Sequence, residues 1–193
     1  MSTAMESLRP AHRINFDEFC RLFETGVLDS DSRVELIDGV IIDMEPTGID
    51  HEWAVSELSA VFHALLGDTV AIRTQGSLPL DEWNYFVPDI ILLKGPNMRY
   101  RHRHPSPEDV LLVIEVSDTT LRKDLKTKLP VYAAHEATEA WVLDVLSMEL
   151  HMQRASEGDG PPKMQTLALT RSTKLPLRGV PGVQVDLSSL LDV

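Results

Sequence analysis

Two acidic side chains lie inside stretches of sequence that are otherwise apolar. Asp89 stands between Pro88 and Ile90-Ile91-Leu92-Leu93, and Glu115 sits within Leu111-Leu112-Val113-Ile114-Glu115-Val116. A buried charge without a partner costs several kcal/mol, so a carboxylate in such a place has a reason to be there. On neighbouring strands the two carboxylates converge, and a hard divalent cation such as Mg²⁺ or Mn²⁺ removes the repulsion that would otherwise raise one pKa. Phosphodiester chemistry at such an ion also needs a positive group near the scissile phosphate and a group that orients or deprotonates water. Lys123, Lys126 and Lys128 follow the Glu115 segment, and Lys128 and Tyr132, four residues apart, share one face of a helix. Glu35 offers a further carboxylate, and His51, between Asp50 and Glu52, a titratable ring. Each of these has a plainer reading when taken alone. A helical lysine is ordinarily solvated surface, a histidine at a helix start a cap or surface group, and Glu35 a salt-bridge partner. A metal-free hydrolase using paired carboxylates as acid and base is a further alternative, because spacing in sequence does not fix distance in space.

These side chains need strands and helices to aim them. Residues 85–93 and 110–117 are apolar enough to be buried on both faces, which marks central strands, and residues 70–75 make a third strand. Two apolar runs between Val34 and Met44 flank Asp38-Gly39, the strongest short-range hairpin signal. Phe16, Phe19, Cys20 and Phe23 recur at helical spacing, with Asn15 or Asp17 as an N-cap and Gly26 beyond the end. Cys20, on the apolar side, reads as a buried, inert thiol. Residues 51–66 present one broad apolar face, closed by Gly67, and form a helix that covers a sheet. Residues 121–135 read as helical with Pro130 as an interruption or kink, and residues 140–145 as a strand. Residues 149–153 and 164–169 make a hairpin around Gly158-Asp159-Gly160-Pro161-Pro162, followed by short edge pieces and an apolar stretch from Leu187 to Leu191.

The length of 193 residues suits one domain. We expect it to span 1–193, with the motif-bearing core at 34–144 and the C-terminal hairpin and edge pieces at 145–193. Apolar residues at 43% and charged residues at 25% exclude collagen-like and largely disordered chains. No apolar run approaches the roughly 20 residues needed to span a bilayer, and residues 1–13 lack the apolar core of a secretory signal, so a cytoplasmic protein is expected. A net charge of −12 excludes coating nucleic acid by bulk electrostatics, although a local basic groove remains open. Arg99, Arg101, His102, Arg103 and His104 surround Tyr100 on a loop bounded by Pro96, Pro105 and Pro107, and the plain reading there is a solvated loop.

The series Val34-Glu35-Leu36-Ile37-Asp38-Gly39, His51, Pro88-Asp89, Glu115-Val116-Ser117, Asp124-x3-Lys128-x3-Tyr132 and Trp141-Val142-Leu143-Asp144 resembles the Uma-type family of putative restriction endonucleases over residues 34–144. Its motifs are short singly and specific as an ordered series. The resemblance implies the PD-(D/E)XK nuclease fold, α/β (α+β): a restriction-endonuclease-like mixed central sheet flanked by helices, here with an N-terminal helix and hairpin. It implies an Mg²⁺- or Mn²⁺-dependent endonuclease hydrolysing DNA at the fork of two strands. Asp89 and Glu115 match the metal ligands, with Val116 beside them in the metal set, and Glu35 completes the acidic pocket. The lysine of the general nuclease motif would stand two residues after Glu115, where this chain has Ser117. The family pattern carries a lysine in the next helix, which assigns charge stabilisation and water orientation to Lys128, with Lys126 the second choice. His51, Ser117, Asp124 and Tyr132 are accessory positions. Restriction-type folds often act in pairs, so a homodimer is expected. A second reading, a non-catalytic binding or assembly module on the same fold, follows from the charge of −12 and the displaced lysine.

Overall fold

The computed structural model describes residues 12–135, 139–154 and 163–191. Helix α1 (Phe16–Glu24) starts where expected: the Asn15 side chain accepts from the Glu18 amide and Glu18 accepts from the Asn15 amide, each at 2.9 Å. Phe19 takes its buried position, and Cys20 is only half-buried, a correction to the expected buried thiol. Burial, then the charges of Asp17 and Glu24, still raise the thiol pKa, which disfavours the reactive thiolate. Strands β1 (Val34–Ile37) and β2 (Val40–Asp43) follow as an antiparallel hairpin. Its two turn residues, Asp38 at φ 50° and Gly39 at φ 74°, have the left-handed geometry that matches strand twist. A Cβ at Gly39 would lie 2.7 Å from the Arg13 Cβ, so this position has no room for a side chain.

Helix α2 (Ile49–Leu66) leads to β3 (Val70–Thr74), then β4 (Leu78–Pro79) and β5 (Tyr85–Phe86). Here the structure departs from the expectation of one strand over residues 85–93. Pro88 cannot donate to a ladder, so the chain leaves one sheet and enters another. β5 pairs with β1 and β4 in a four-stranded sheet of order β2-β1-β5-β4, and β6 (Ile90–Lys94) joins a six-stranded sheet.

The larger sheet also contains β7 (Val110–Ser117), β8 (Glu139–Asp144), β9 (Glu149–Arg154) and β10 (Lys163–Ala168), in the order β10-β9-β8-β7-β6-β3. Its pairs are antiparallel except β7 with β8. A parallel pair requires a crossover, and this one is helical: α3 (Leu121–Lys123), a π-helical turn (Asp124–Lys128) and α4 (Leu129–Ala134). Instead of the expected break at Pro130, the helix widens one turn earlier, with the Leu129 amide reaching back five residues to the Asp124 carbonyl. That turn absorbs the donor Pro130 lacks and the room its ring needs.

Alternation along β6, β7 and β8 builds two cores. Ile90, Leu92, Leu112, Ile114 and Trp141 face α2, while Ile91, Leu93, Val113 and Val142 face Leu129, Tyr132 and Phe86. The β9–β10 hairpin is present, and its Gly158–Pro162 turn lies outside the described residues. β11 (Lys174–Pro176) and β12 (Gln184–Asp186) pair as the edge pieces, followed by a 3₁₀ turn at Ser188–Leu191. No described helix is long and apolar enough to cross a membrane.

Candidate active site

The antiparallel register Ile90↔Ile114 carries on to set Asp89 opposite Glu115. Both are buried, at 6% and 3% exposure. Asp89 Oδ2 accepts hydrogen bonds from the Val116 amide at 2.9 Å and from His51 Nε2 at 3.1 Å. Glu115 Oε1 accepts from the Tyr132 hydroxyl at 2.6 Å and from Lys128 Nζ at 3.2 Å. The same ammonium lies 2.8 Å from Glu35 Oε1, which also accepts from the Val87 amide at 3.0 Å. Lys128 thus bridges the two sheets, with Glu35 from the small one and Glu115 from the large one.

The π turn explains how the lysine gets there. A widened turn shifts the angular position of the residues after it, and here both ends of the turn, Asp124 and Lys128, are buried. Asp124 Oδ2 accepts from Ser117 Oγ at 2.7 Å and Thr120 Oγ1 at 2.6 Å, which ties the start of the crossover to the end of β7. Ser117 therefore acts as a tether for the helix. Lys126, the second-choice lysine, is exposed and meets none of these acids. Lys123, which the sequence groups with them, reaches Glu35 Oε2 at 3.7 Å. Glu35, His51, Asp89, Glu115, Val116, Asp124, Lys123 and Lys128 all line one narrow pocket of about 50 Å³.

Electrostatics follow from this crowding. Burial pushes the Glu115 carboxyl up to about 8; the Lys128 ammonium opposes the shift, and the Asp89, Asp124 and Glu35 charges add to it. Burial alone would lower Lys128, but the charges of Glu115, Glu35 and Asp124 overcome it and hold the ammonium above the ordinary lysine range. Burial likewise works against a charged His51, and the hydrogen bond and charge of Asp89, with Asp118 and Asp124 behind, raise it nonetheless. Tyr132 is raised well above the usual phenol by burial and by Glu115, so it stays a donor.

Asp89 Oδ1 and Glu115 Oε2 accept no hydrogen bond from any described residue. Glu35 Oε2 is sealed from solvent and has no hydrogen-bond donor. Among the described residues, no three His, Cys, Asp or Glu side chains converge closely enough to enclose an ion by themselves.

The basic loop has a structural part. Tyr100 is buried, its hydroxyl donates to the Lys94 carbonyl at 2.6 Å, and Arg73, Arg99 and Arg103 lie over its ring. Arg99 and Arg103 both pair with buried Asp109, at 3.1 and 2.7 Å. Asp144, the end of the Trp141 motif, caps the β8–β9 turn by accepting from the Leu146 and Ser147 amides.

A crystal structure described as a putative nuclease belonging to DUF820, from Anabaena variabilis, is similar at TM-score 0.70 and 15% identity, over 93% of this chain and 98% of that one. At that identity the likeness is one of fold, and it bears out the mixed sheet flanked by helices. No curated protein matches the chain. The model of the Uma2 family, described as "Putative restriction endonuclease", matches residues 16–188, which takes in α1, both sheets and every residue of the pocket. On that match, the chain belongs to the Uma2 family of putative restriction endonucleases.

Proposed function

We propose that the chain is a divalent-metal-dependent nuclease that hydrolyses phosphodiester bonds in DNA. The observation that carries this reading is the Lys128 ammonium, 2.8 Å from Glu35 and 3.2 Å from Glu115. It is the positive group that position 117 lacks, delivered from the following helix.

The donor set suits Mg²⁺ or Mn²⁺: the candidate ligands are all oxygens, two carboxylates keep a free oxygen, and Glu35 Oε2 is buried with no hydrogen bond and only the Lys123 ammonium nearby at 3.7 Å. Asp89 and Glu115 would hold the ion, with the Val116 carbonyl beside them, since a strand residue turns its N–H and C=O to the same neighbour and the Val116 amide faces Asp89. When bound, such an ion would activate the attacking water and offset charge on the phosphate. The remaining work falls to protein groups. The Val116 amide and His51 hold the Asp89 carboxylate in one orientation, and Tyr132 does the same for Glu115. Lys128 stays protonated, so it serves as an electrostatic donor to the phosphate oxygens and not as a base.

Purified protein is expected to cut DNA with Mg²⁺ or Mn²⁺, and Asp89→Ala or Lys128→Ala to slow cleavage by about 10²-fold or more. Cleavage in excess chelator, or an Asp89→Ala variant as fast as wild type, would overturn the assignment. One observation favours the second reading of a non-catalytic module: no three ligating side chains converge among the described residues. Folded protein that binds neither Mg²⁺ nor Mn²⁺ in calorimetry and cuts no DNA substrate would decide for that module, and tight metal binding that Glu115→Ala abolishes would count against it. The reading includes a pair of chains acting on duplex DNA, and light scattering at micromolar concentration showing only monomer would end that part.

A further inference from the structure

Beside the pocket runs a wider groove of about 500 Å³, lined by Arg33, Thr47, His51, Ser56, Thr74 and Gln75 among others. Arg33, Thr47 and His51 line both hollows, so the groove continues the site. Its walls carry four hydroxyls and an amide, groups that bond phosphate and sugar oxygens without reading sequence, and one carboxylate, Glu52, which accepts from the Thr47 hydroxyl at 3.1 Å. Its far wall is keyed to the acids: Gln75 is held at φ 48°, and its backbone amide donates to the Asp89 carbonyl at 3.0 Å. A non-glycine residue in that conformation is a strain that the surroundings must maintain.

The cations nearest the acids are committed, Lys128 to Glu35 and Glu115 and Lys123 to Glu35. On the basic loop, Arg99 and Arg103 are committed to Asp109, and exposed Arg101 lines a separate hollow that shares no residue with the pocket or the groove. Arg33 differs. It is exposed, its side chain has no ion pair or hydrogen bond among the described residues, and this holds although Glu45 lines the same pocket. The Arg33 carbonyl continues the hairpin ladder by accepting from the Met44 amide at 2.9 Å. Two residues before Glu35, Arg33 falls on the same side of the strand. With a net charge of −12 the molecule offers no diffuse positive field to a polyanion. Phosphate binding must then come from individual cations, and a guanidinium fork matches two phosphate oxygens at once.

We infer that the groove carries one strand of a nucleic acid substrate, with Arg33 gripping a phosphate adjacent to the one cut. The inference rests on the nuclease reading of the adjoining pocket. It makes binding depend on few cations and many neutral donors, so its salt dependence is shallow.

The test is fluorescence anisotropy of labelled DNA and RNA strands, single and double, titrated with salt in Ca²⁺, alongside cleavage in Mg²⁺ or Mn²⁺. Arg33→Ala is expected to weaken binding about fivefold on single strands and about eightfold on duplex DNA at 0.1 M salt, and to lower the slope of log K against log salt by about 0.7 and 0.9 respectively, the contribution of one phosphate contact. Arg33→Lys keeps the slope, and Thr74→Arg steepens it. In cleavage, Arg33→Ala raises KM more than it lowers kcat. An Arg33→Ala slope equal to wild type overturns the inference, as does wild-type protein that binds neither DNA nor RNA. Failure of the nuclease reading looks different: no variant cleaves, yet binding keeps its dependence on Arg33, which supports the groove. Cleavage with a KM indifferent to Arg33→Ala overturns the groove and leaves the nuclease standing.

Discussion

Replacing Lys128 with methionine tests the central arrangement most directly, because methionine keeps the apolar stem and removes only the ammonium. The lysine side chain is 6% exposed and the Glu35 and Glu115 side chains 1% and 4%, so solvent does little to soften the loss. Removing one partner of a buried ion pair costs about 3–5 kcal/mol. In a chain of this size each kcal/mol lowers Tm by about 2–4 °C, which gives a fall of about 6–20 °C. The cost must depend on pH. Glu115 is pushed up to about 8 in the folded protein, so the folded state binds more protons there than the unfolded state. Stability from this group is therefore fully present below an ordinary carboxyl pKa and is lost as pH rises towards about 8. Without Lys128 the carboxyl rises further, so the variant is hurt more near pH 9 than near pH 6. Adding Glu115→Gln removes the stranded charge, keeps an acceptor for Tyr132, and recovers more than half of the loss, with cleavage still absent. Thermal and urea melts across that pH range, in chelator, read this out. A loss under about 1 kcal/mol at high pH, a loss that shrinks as pH rises, or a double variant no more stable than the single would refute the reasoning.

Magnesium at a hundred times its dissociation constant is expected to add about 2.7 kcal/mol. The gain should grow with pH as Glu115 gives up its proton and should vanish in Asp89→Asn; a pH-independent gain in thermal melts would count against Glu115 as a ligand. The hydrogen bond from Arg103, opposed by burial and joined by the Ser106 donors, holds the Asp109 carboxyl well below the usual range. Its stabilisation is thus present above an ordinary carboxyl pKa and lost as pH falls below it, and Asp109→Asn should flatten that acid limb of the urea midpoint. Gly39→Ala, which demands φ 74° of an alanine and sets its Cβ 2.7 Å from Arg13, should cost about 1–3 kcal/mol in a urea melt.

Several parts of this architecture can be read from residue types. Asp89 and Glu115 stand out because carboxylates inside β-branched runs are anomalous, and Asp38-Gly39 announces its turn through the backbone geometry only such residues adopt easily. The split of residues 85–93 is harder to read, because apolar content runs straight through Pro88 and only the pairing partners reveal the change of sheet. Lys128 is singled out by resemblance; its direction depends on the π turn, which leaves no local pattern beyond Pro130. Lys126 and Lys128 look alike in sequence, and a two-residue difference puts one in solvent and the other between carboxylates. Arg33 carries no signal in the sequence, because its distinction is the lack of a partner, which only coordinates display.

Glu35 has a consequence for the order in which the molecule comes together. It belongs to the first hairpin, yet its partners are the Val87 amide and the lysines of the crossover. A chain made from its N-terminus therefore exposes all three carboxylates before the ammonium that offsets them exists. Glu35 and Lys128 lie 93 residues apart in the chain, so closing this centre is a long-range event. A stalled or truncated chain ending before Lys128 holds acids without their cation, so the growing polypeptide carries no finished centre until its crossover has emerged.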